Sequence, residues 1–212
     1  MSGILIVGAG GHARVLIDVL RSCDLAPTGL VDPNLPPNES VLGVQILGDD
    51  AWLDAQNRSD HRLVIGIGAT GLPTTRVRLF NDLSDKGHTI IGASHASTLR
   101  GSNCTIDNTA QILPGCVVNN STQIGANVVV YTGSIIEHDC IVGAHTYLSP
   151  RVTLCGGVTI GERSFIGAAA TILPGIHVGS DVVVGAGAVV TRDVVDGSTV
   201  MGIPAKVVDS TQ

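Results

Sequence analysis

Two short stretches of this sequence hold residues that can move a proton and steady an anion. In Ile136-Glu137-His138-Asp139-Cys140 an imidazole stands next to a carboxylate. Histidine takes and returns protons near neutral pH, and an adjacent Asp can fix its tautomer. The other stretch is Gly156-Gly157, whose main-chain amides can donate to a developing oxyanion. The two belong together only if the fold sets residue 138 beside residue 156. A third stretch, Gly8-Ala9-Gly10-Gly11-His12-Ala13, lies between an apolar run, Ile4 to Val7, and the helical spacing of Val15, Leu16, Val19 and Leu20. Its amides and the helix N-terminus can hold a phosphate, and Asp32 can accept from a ribose or a base. A plain tight turn would use the same glycines.

The elements that position these groups fall into two parts. Through about residue 90 the sequence alternates strand-like runs (Ile4 to Val7, Gly29 to Asp32, Val44 to Leu47, Leu63 to Ile67) with helical ones (Arg14 to Arg21, Thr74 to Lys86). Asp49 to Ala55 reads as a helix start. This βαβαβ order implies a parallel sheet. A dinucleotide fold needs a second half of similar size, so a mononucleotide fits better than NAD.

From Ile106 to Val190 every sixth residue is Ile, Leu or Val. Two places before each lies a second column, Cys104, Ala110, Cys116, Thr122, Val128, Ser134, Cys140 and onward, all small or β-branched. This is the hexapeptide pattern of a parallel β-helix, three units to a triangular coil of eighteen residues. Both columns point inward, so the cysteines of the small column are packing residues. His138 comes two places after an inward aliphatic and points outward. One coil further on is Gly156, and stacked coils lie about 4.8 Å apart. The spacing therefore sets the imidazole beside glycine amides, the two parts of an acyl-transfer site. A corner histidine that meets only solvent has the same spacing.

Composition narrows the alternatives. Net charge is −6 with no cluster of Lys or Arg, which argues against nucleic acid and anionic membranes as partners. Aromatic residues are 2% against 44% hydrophobic, which suits a narrow, regular interior. No apolar run approaches the roughly 20 residues of a membrane span, and Met1 to Val7 lacks the form of a signal peptide. The expectation is a cytoplasmic protein without membrane insertion. The five cysteines form no CxxC pair, and His138 and His145 have no third ligand at compact spacing, so no metal is expected.

The glycine loop with His12, the stretch Ile136 to Cys140, Leu154-Cys155-Gly156-Gly157-Val158-Thr159-Ile160-Gly161-Glu162 and Gly202-Ile203-Pro204-Ala205-Lys206 together resemble one family. It is the bacterial hexapeptide-repeat sugar acetyltransferases of the sialic-acid O-acetyltransferase and bacillosamine or perosamine N-acetyltransferase type. The resemblance spans nearly the whole chain. It implies a small Rossmann-like nucleotide-sugar-binding domain over residues 1–92. A left-handed parallel β-helix acyltransferase domain with a C-terminal tail follows over 93–212. It implies a homotrimer with acetyl-CoA in the groove between subunits. The implied reaction is N-acetylation at C4 of a nucleotide-linked 4-amino-4,6-dideoxy sugar. Sugar O-acetylation is the alternative, and a silent scaffold is a third reading. His138 is then the base, Asp139 its partner and Gly156 the oxyanion donor. Gly10, Gly11, His12 and Asp32 lie along the nucleotide sugar, with Arg76 free for a phosphate. Gly157, Gly167, Ala168, Gly185, Ala186 and Lys206 line the coenzyme. Tyr147 stands where most members carry a second histidine near the acetyl group. Gly68-Ala69 replaces the glycine-asparagine pair of many members.

Overall fold

A computed structural model describes residues 3–208. The N-terminal part is a sheet of order β3-β4-β2-β1-β5-β6. Its strands are β1 (Gly3–Val7), β2 (Gly29–Val31), β3 (Ser40–Val41), β4 (Val44–Gly48), β5 (His61–Ile65) and β6 (Thr89–Ile90). Three helices connect them: α1 (Gly11–Ser22), α2 (Asp50–Asp54) and α3 (Thr74–Asp85). All pairings are parallel except β3 with β4, a short hairpin absent from the sequence reading. Leu42 and Gly43 at its turn have φ of 50° and 78°. That left-handed pair suits a two-residue hairpin, and the leucine hides the signal a second glycine or Asn would give. The sheet buries aliphatics on both faces. Leu16, Ile17 and Leu20 of α1 pack with Ile4, Ile6 and Val64 on one side, and Leu53 and Leu83 with Leu5, Val7 and Leu63 on the other.

The rest of the described chain winds as a parallel β-helix. Its strands of two or three residues stack into three faces, sheets of eight, six and five strands, the eighth of the first being the antiparallel Lys206–Val207. Register confirms the eighteen-residue coil: Tyr147 pairs with Phe165 on the first face, Ile135 with Thr153 on the second, Ile141 with Thr159 on the third. The sixth-residue aliphatics from Ile112 on are buried, and so is the small column from Ala110 on. The third residue of a corner commonly takes a left-handed conformation, as do Asp139 (φ 59°), Gly157 (71°) and Gly175 (70°).

Where the small column carries a donor, the side chain reaches the carbonyl fifteen residues further on. Thr122 Oγ1 donates to Glu137 O (3.1 Å), Ser134 Oγ to Ser149 O (3.1 Å), Thr146 Oγ1 to Gly161 O (2.8 Å) and Ser164 Oγ to Gly179 O (2.8 Å). Cys116 and Cys140 do the same with their thiols. These carbonyls open the corners, where the strand ladder has ended and a buried acceptor needs a partner. Among the described residues no helix is long and apolar enough to cross a membrane.

Candidate active site

The corner that joins the second and third faces carries the catalytic candidates. His138 and Asp139 follow the strand Ile135–Ile136, and the same corner one coil on is Cys155-Gly156-Gly157. His138 Nδ1 lies 2.8 Å from Asp139 Oδ2. The carboxylate accepts, so Nδ1 carries the hydrogen and Nε2 is left as a proton acceptor. Both side chains are more than half exposed. The ring leans over the next coil: a methyl built on Gly156 would stand 2.6 Å from His138 Cε1 and Nε2. Only glycine leaves room for the imidazole there.

Hydrogen bonding sorts the two glycine amides. Gly157 N–H donates to His138 O (2.9 Å), which spends it on the coil stack. Gly156 N–H donates to no group among the described residues. Its peptide is fixed from below, because Cys140 Sγ–H donates to Cys155 O (3.2 Å), the carbonyl of that same peptide unit. Burial raises the Cys140 thiol to about 11, so it stays a donor at neutral pH. The free amide thus faces outward beside an imidazole with an open nitrogen. Ile135, Ile141 and Leu173 are exposed apolar side chains on the strands and corner around it.

The glycine loop opens a separate cavity of about 510 Å³. It is walled by Val7 to His12, Asp32 to Asn34, Asp50 and Gly66 to Gly68, and by Thr75, Arg78, Leu79 and Asp82 of α3. Methyls built on Gly10 and Gly11 meet nothing within 4 Å, so the loop backbone lines open space. Helix α1 starts here with no acidic residue in its first turn, which leaves its amides and dipole for an anion. Asp32 accepts from Ala9 N–H through Oδ2 (2.8 Å) and from Asn34 N–H through Oδ1 (2.9 Å). It therefore ties the loop after β1 to the loop after β2. Asp50, Arg78 and Asp82 have no signature in the sequence, because polar residues on helices carry no signal of the cavity they face.

Three sequence expectations need correction. Arg76 is not at the surface for a phosphate: it is 1% exposed, and its Nη1 donates to Ile65 O (3.1 Å) and Ile67 O (2.8 Å) at the end of β5, with Nε and Nη2 buried and unpartnered among the described residues. Burial lowers it to about 9. Tyr147 does not line an open acyl pocket. It is 5% exposed, stacked on Phe165 at 5.7 Å and beside Tyr131 at 5.7 Å, on the solenoid face that the N-terminal part covers. His12 keeps no ring nitrogen for a ligand. Its Nε2 meets Gln111 Oε1 (2.8 Å) and its Nδ1 the Tyr131 hydroxyl (3.2 Å). Docking of the two parts covers His12 and Tyr147, whose side chains point outward in their own elements, while Arg76 is held inside the N-terminal part by the carbonyls at the end of β5. Burial and the nearby Arg76 guanidinium lower the His12 imidazole to about 4.

Of the coenzyme candidates, Gly157 sits at the His138 corner, whereas Gly167, Ala168, Gly185 and Ala186 sit at another corner, between the first and second faces. Ala168 and Ala186 are exposed there, one coil apart, and Gly187 N–H donates to Ala168 O (2.8 Å). A methyl on Gly167 would stand 2.5 Å from the Ala186 nitrogen, so this corner is flat bare backbone. Lys206 is exposed on a short strand that pairs antiparallel with Met201. A single chain therefore holds His138 and this corner on different edges of one prism.

Residues 3–83 match the PglD N-terminal domain family. Residues 121–156 match the bacterial transferase hexapeptide family of six repeats, and residues 157–192 the hexapeptide repeat of succinyl-transferase. Among solved structures, the chain is similar to a single-histidine mutant of perosamine N-acetyltransferase from Caulobacter crescentus in complex with CoA and GDP-perosamine. Identity is 34% over 99% of this chain and 98% of that one, with a TM-score of 0.91. It is also similar to the acetyltransferase domain of PglB from Neisseria gonorrhoeae FA1090 in complex with acetyl coenzyme A. There identity is 27% over 97% and 98% of the two chains, with a TM-score of 0.88.

Proposed function

The chain belongs to the hexapeptide-repeat acyltransferases of nucleotide-linked amino sugars, and from that premise we propose that it moves an acetyl group from acetyl-CoA to the C4 amine of a nucleotide-linked 4-amino-4,6-dideoxy sugar. The observation that carries this reading is the His138 and Asp139 pair leaning over the free Gly156 amide, in a chain alike from end to end to a perosamine N-acetyltransferase.

The neutral sugar amine attacks the thioester carbonyl, and His138 Nε2 takes the proton that the nitrogen sheds. Asp139 holds Nδ1–H and steadies the imidazolium. Gly156 N–H donates to the oxygen as it gains charge. The C–S bond then breaks, and the proton passes from His138 to the departing thiolate. The products are an amide and free CoA.

The nucleotide occupies the cavity at the glycine loop, its phosphates at the N-terminus of α1 against Gly10 and Gly11. Since one chain holds His138 and the Ala168 and Ala186 corner on separate edges, a neighbouring copy supplies the second wall of the coenzyme groove. The exposed Ile135, Ile141 and Leu173 suit such a contact, and a homotrimer closes it around one axis.

The test is release of free thiol from acetyl-CoA against UDP-, GDP- and dTDP-linked 4-amino-4,6-dideoxy sugars, with His138→Ala alongside. Turnover with one of these sugars is expected, reduced about 10²- to 10⁴-fold in the variant. Sedimentation equilibrium on the same sample is expected to give a trimer. No turnover with any amino sugar by a folded trimer overturns the reading.

A further inference from the structure

We propose that Gln111 and Tyr131, side chains of the β-helix, are positioning residues for the nucleotide sugar, holding in place the two N-terminal loops that frame its cavity. The inference rests on the assignment of that cavity to the nucleotide.

The hydrogen bonds fix every atom's role. Gln111 Nε2 donates to Ile65 O (3.0 Å), so its amide orientation is set and Oε1 must accept. His12 Nε2 therefore carries the hydrogen and donates to Oε1. His12 Nδ1 is then unprotonated and accepts from the Tyr131 hydroxyl. The Tyr147 ring lies beside Tyr131, 5.7 Å between centroids. A methyl on Gly68 would stand 3.2 Å from the Tyr147 hydroxyl and 3.4 Å from His12 Cβ. A belt of hydrogen bonds thus leaves the end of β5 at Ile65 and passes through Gln111 and His12 to Tyr131. The Tyr147 ring packs beside Tyr131 and brings its hydroxyl against the loop after β5 at Gly68.

Both loops that the belt holds line the 510 Å³ cavity, one through Gly8 to His12 and the other through Gly66 to Gly68. Gln111 is 1% exposed and His12 6%, so water cannot replace a lost partner cheaply. Arg76 braces the same strand end, since its Nη1 shares the Ile65 carbonyl with Gln111. The chain's two tyrosines and two phenylalanines all stand at this seam: Tyr131, Tyr147 and Phe165 in a row, and Phe80 of α3 edge-on to His145 at 5.3 Å. The seam is a built interface whose polar centre is directed at the nucleotide loops. His138 stands outside this cavity.

The experiment uses the full-length protein with Gln111→Met and Tyr131→Phe, each close in shape to the residue it replaces. The KM for the nucleotide amino sugar is expected to rise about tenfold in each, while kcat and the KM for acetyl-CoA stay within about twofold. Nitrogen-15 NMR of His12 is expected to show the Nε2–H tautomer in the parent protein and a shifted Nδ1 resonance in Tyr131→Phe. Unchanged sugar KM in both variants, or equal rises in both KM values, overturns the proposal. A fall in melting temperature that accounts for the whole loss of activity overturns it as well. If the parent turns over no amino sugar, the reaction assignment has failed on its own. Calorimetric titration with UDP, GDP and dTDP then decides the positioning role, which requires weaker binding in both variants.

Discussion

At the scale of single residues, Gly156 is the position where the site tolerates least. Its missing side chain makes room for the imidazole, and its amide is the donor left over at the corner. Gly156→Ala pushes a methyl against His138 Nε2 and must turn the ring away. Rate losses of 10² or more follow from displacing a base by about an ångström. Steady-state kinetics is expected to show kcat falling by that order with the melting temperature little changed, because the atoms nearest the added methyl all belong to the exposed His138 ring. Gly157→Ala is a different case. Its left-handed φ penalises a side chain, so stability falls there. His138 and Gly156 were legible as a pair because the period of the repeat is a distance rule: residues eighteen apart are neighbours.

At the scale of elements, the β-helix holds its corners with inward side chains. The small column in the sequence reads as a filler of tight space, and that is half of its role. Ser164 shows the rest: its hydroxyl donates to Gly179 O and accepts from Val182 N–H (3.0 Å) inside the prism. Ser164→Ala leaves a buried carbonyl and a buried amide without that partner. Urea denaturation is expected to give a loss of about 2 kcal/mol, with kcat unchanged. Cys140 fills the same place beneath the candidate catalytic corner, where it fixes the peptide that presents the Gly156 amide. The periodicity showed which residues point inward, but a side chain's reach to a carbonyl fifteen residues away depends on the coil's rise and turn.

At the scale of the whole molecule, docking of the N-terminal part on the β-helix buries titratable groups that the unfolded chain exposes. His12 is the strongest case, lowered from 6.5 to about 4 by burial first and by Arg76 second. The unfolded chain takes up a proton below pH 6.5 and the folded chain does not until about pH 4. Stability is therefore full above 6.5 and falls as pH drops through that window, by about 3 kcal/mol from this group. Burial lowers His88 and His145 too, so they act in the same direction. Urea melts at pH 7.5, 6 and 4.5 are expected to show the fall, and His12→Asn is expected to flatten it.

The sequence by itself determined the α/β part, the prism and its register, because periods of two, six and eighteen are set by backbone geometry and written in residue types. It also determined the neighbourhood of His138 and Gly156, since that contact follows from the same count. Only the tertiary structure decided what lies between the two parts. His12 and Tyr147 carry chemistry suited to a ligand, and each is instead held by the seam, while Arg76 is turned onto carbonyls of its own part. Which outward side chains a docked neighbour will cover depends on the complementarity of two finished surfaces, and no local pattern in the chain records it.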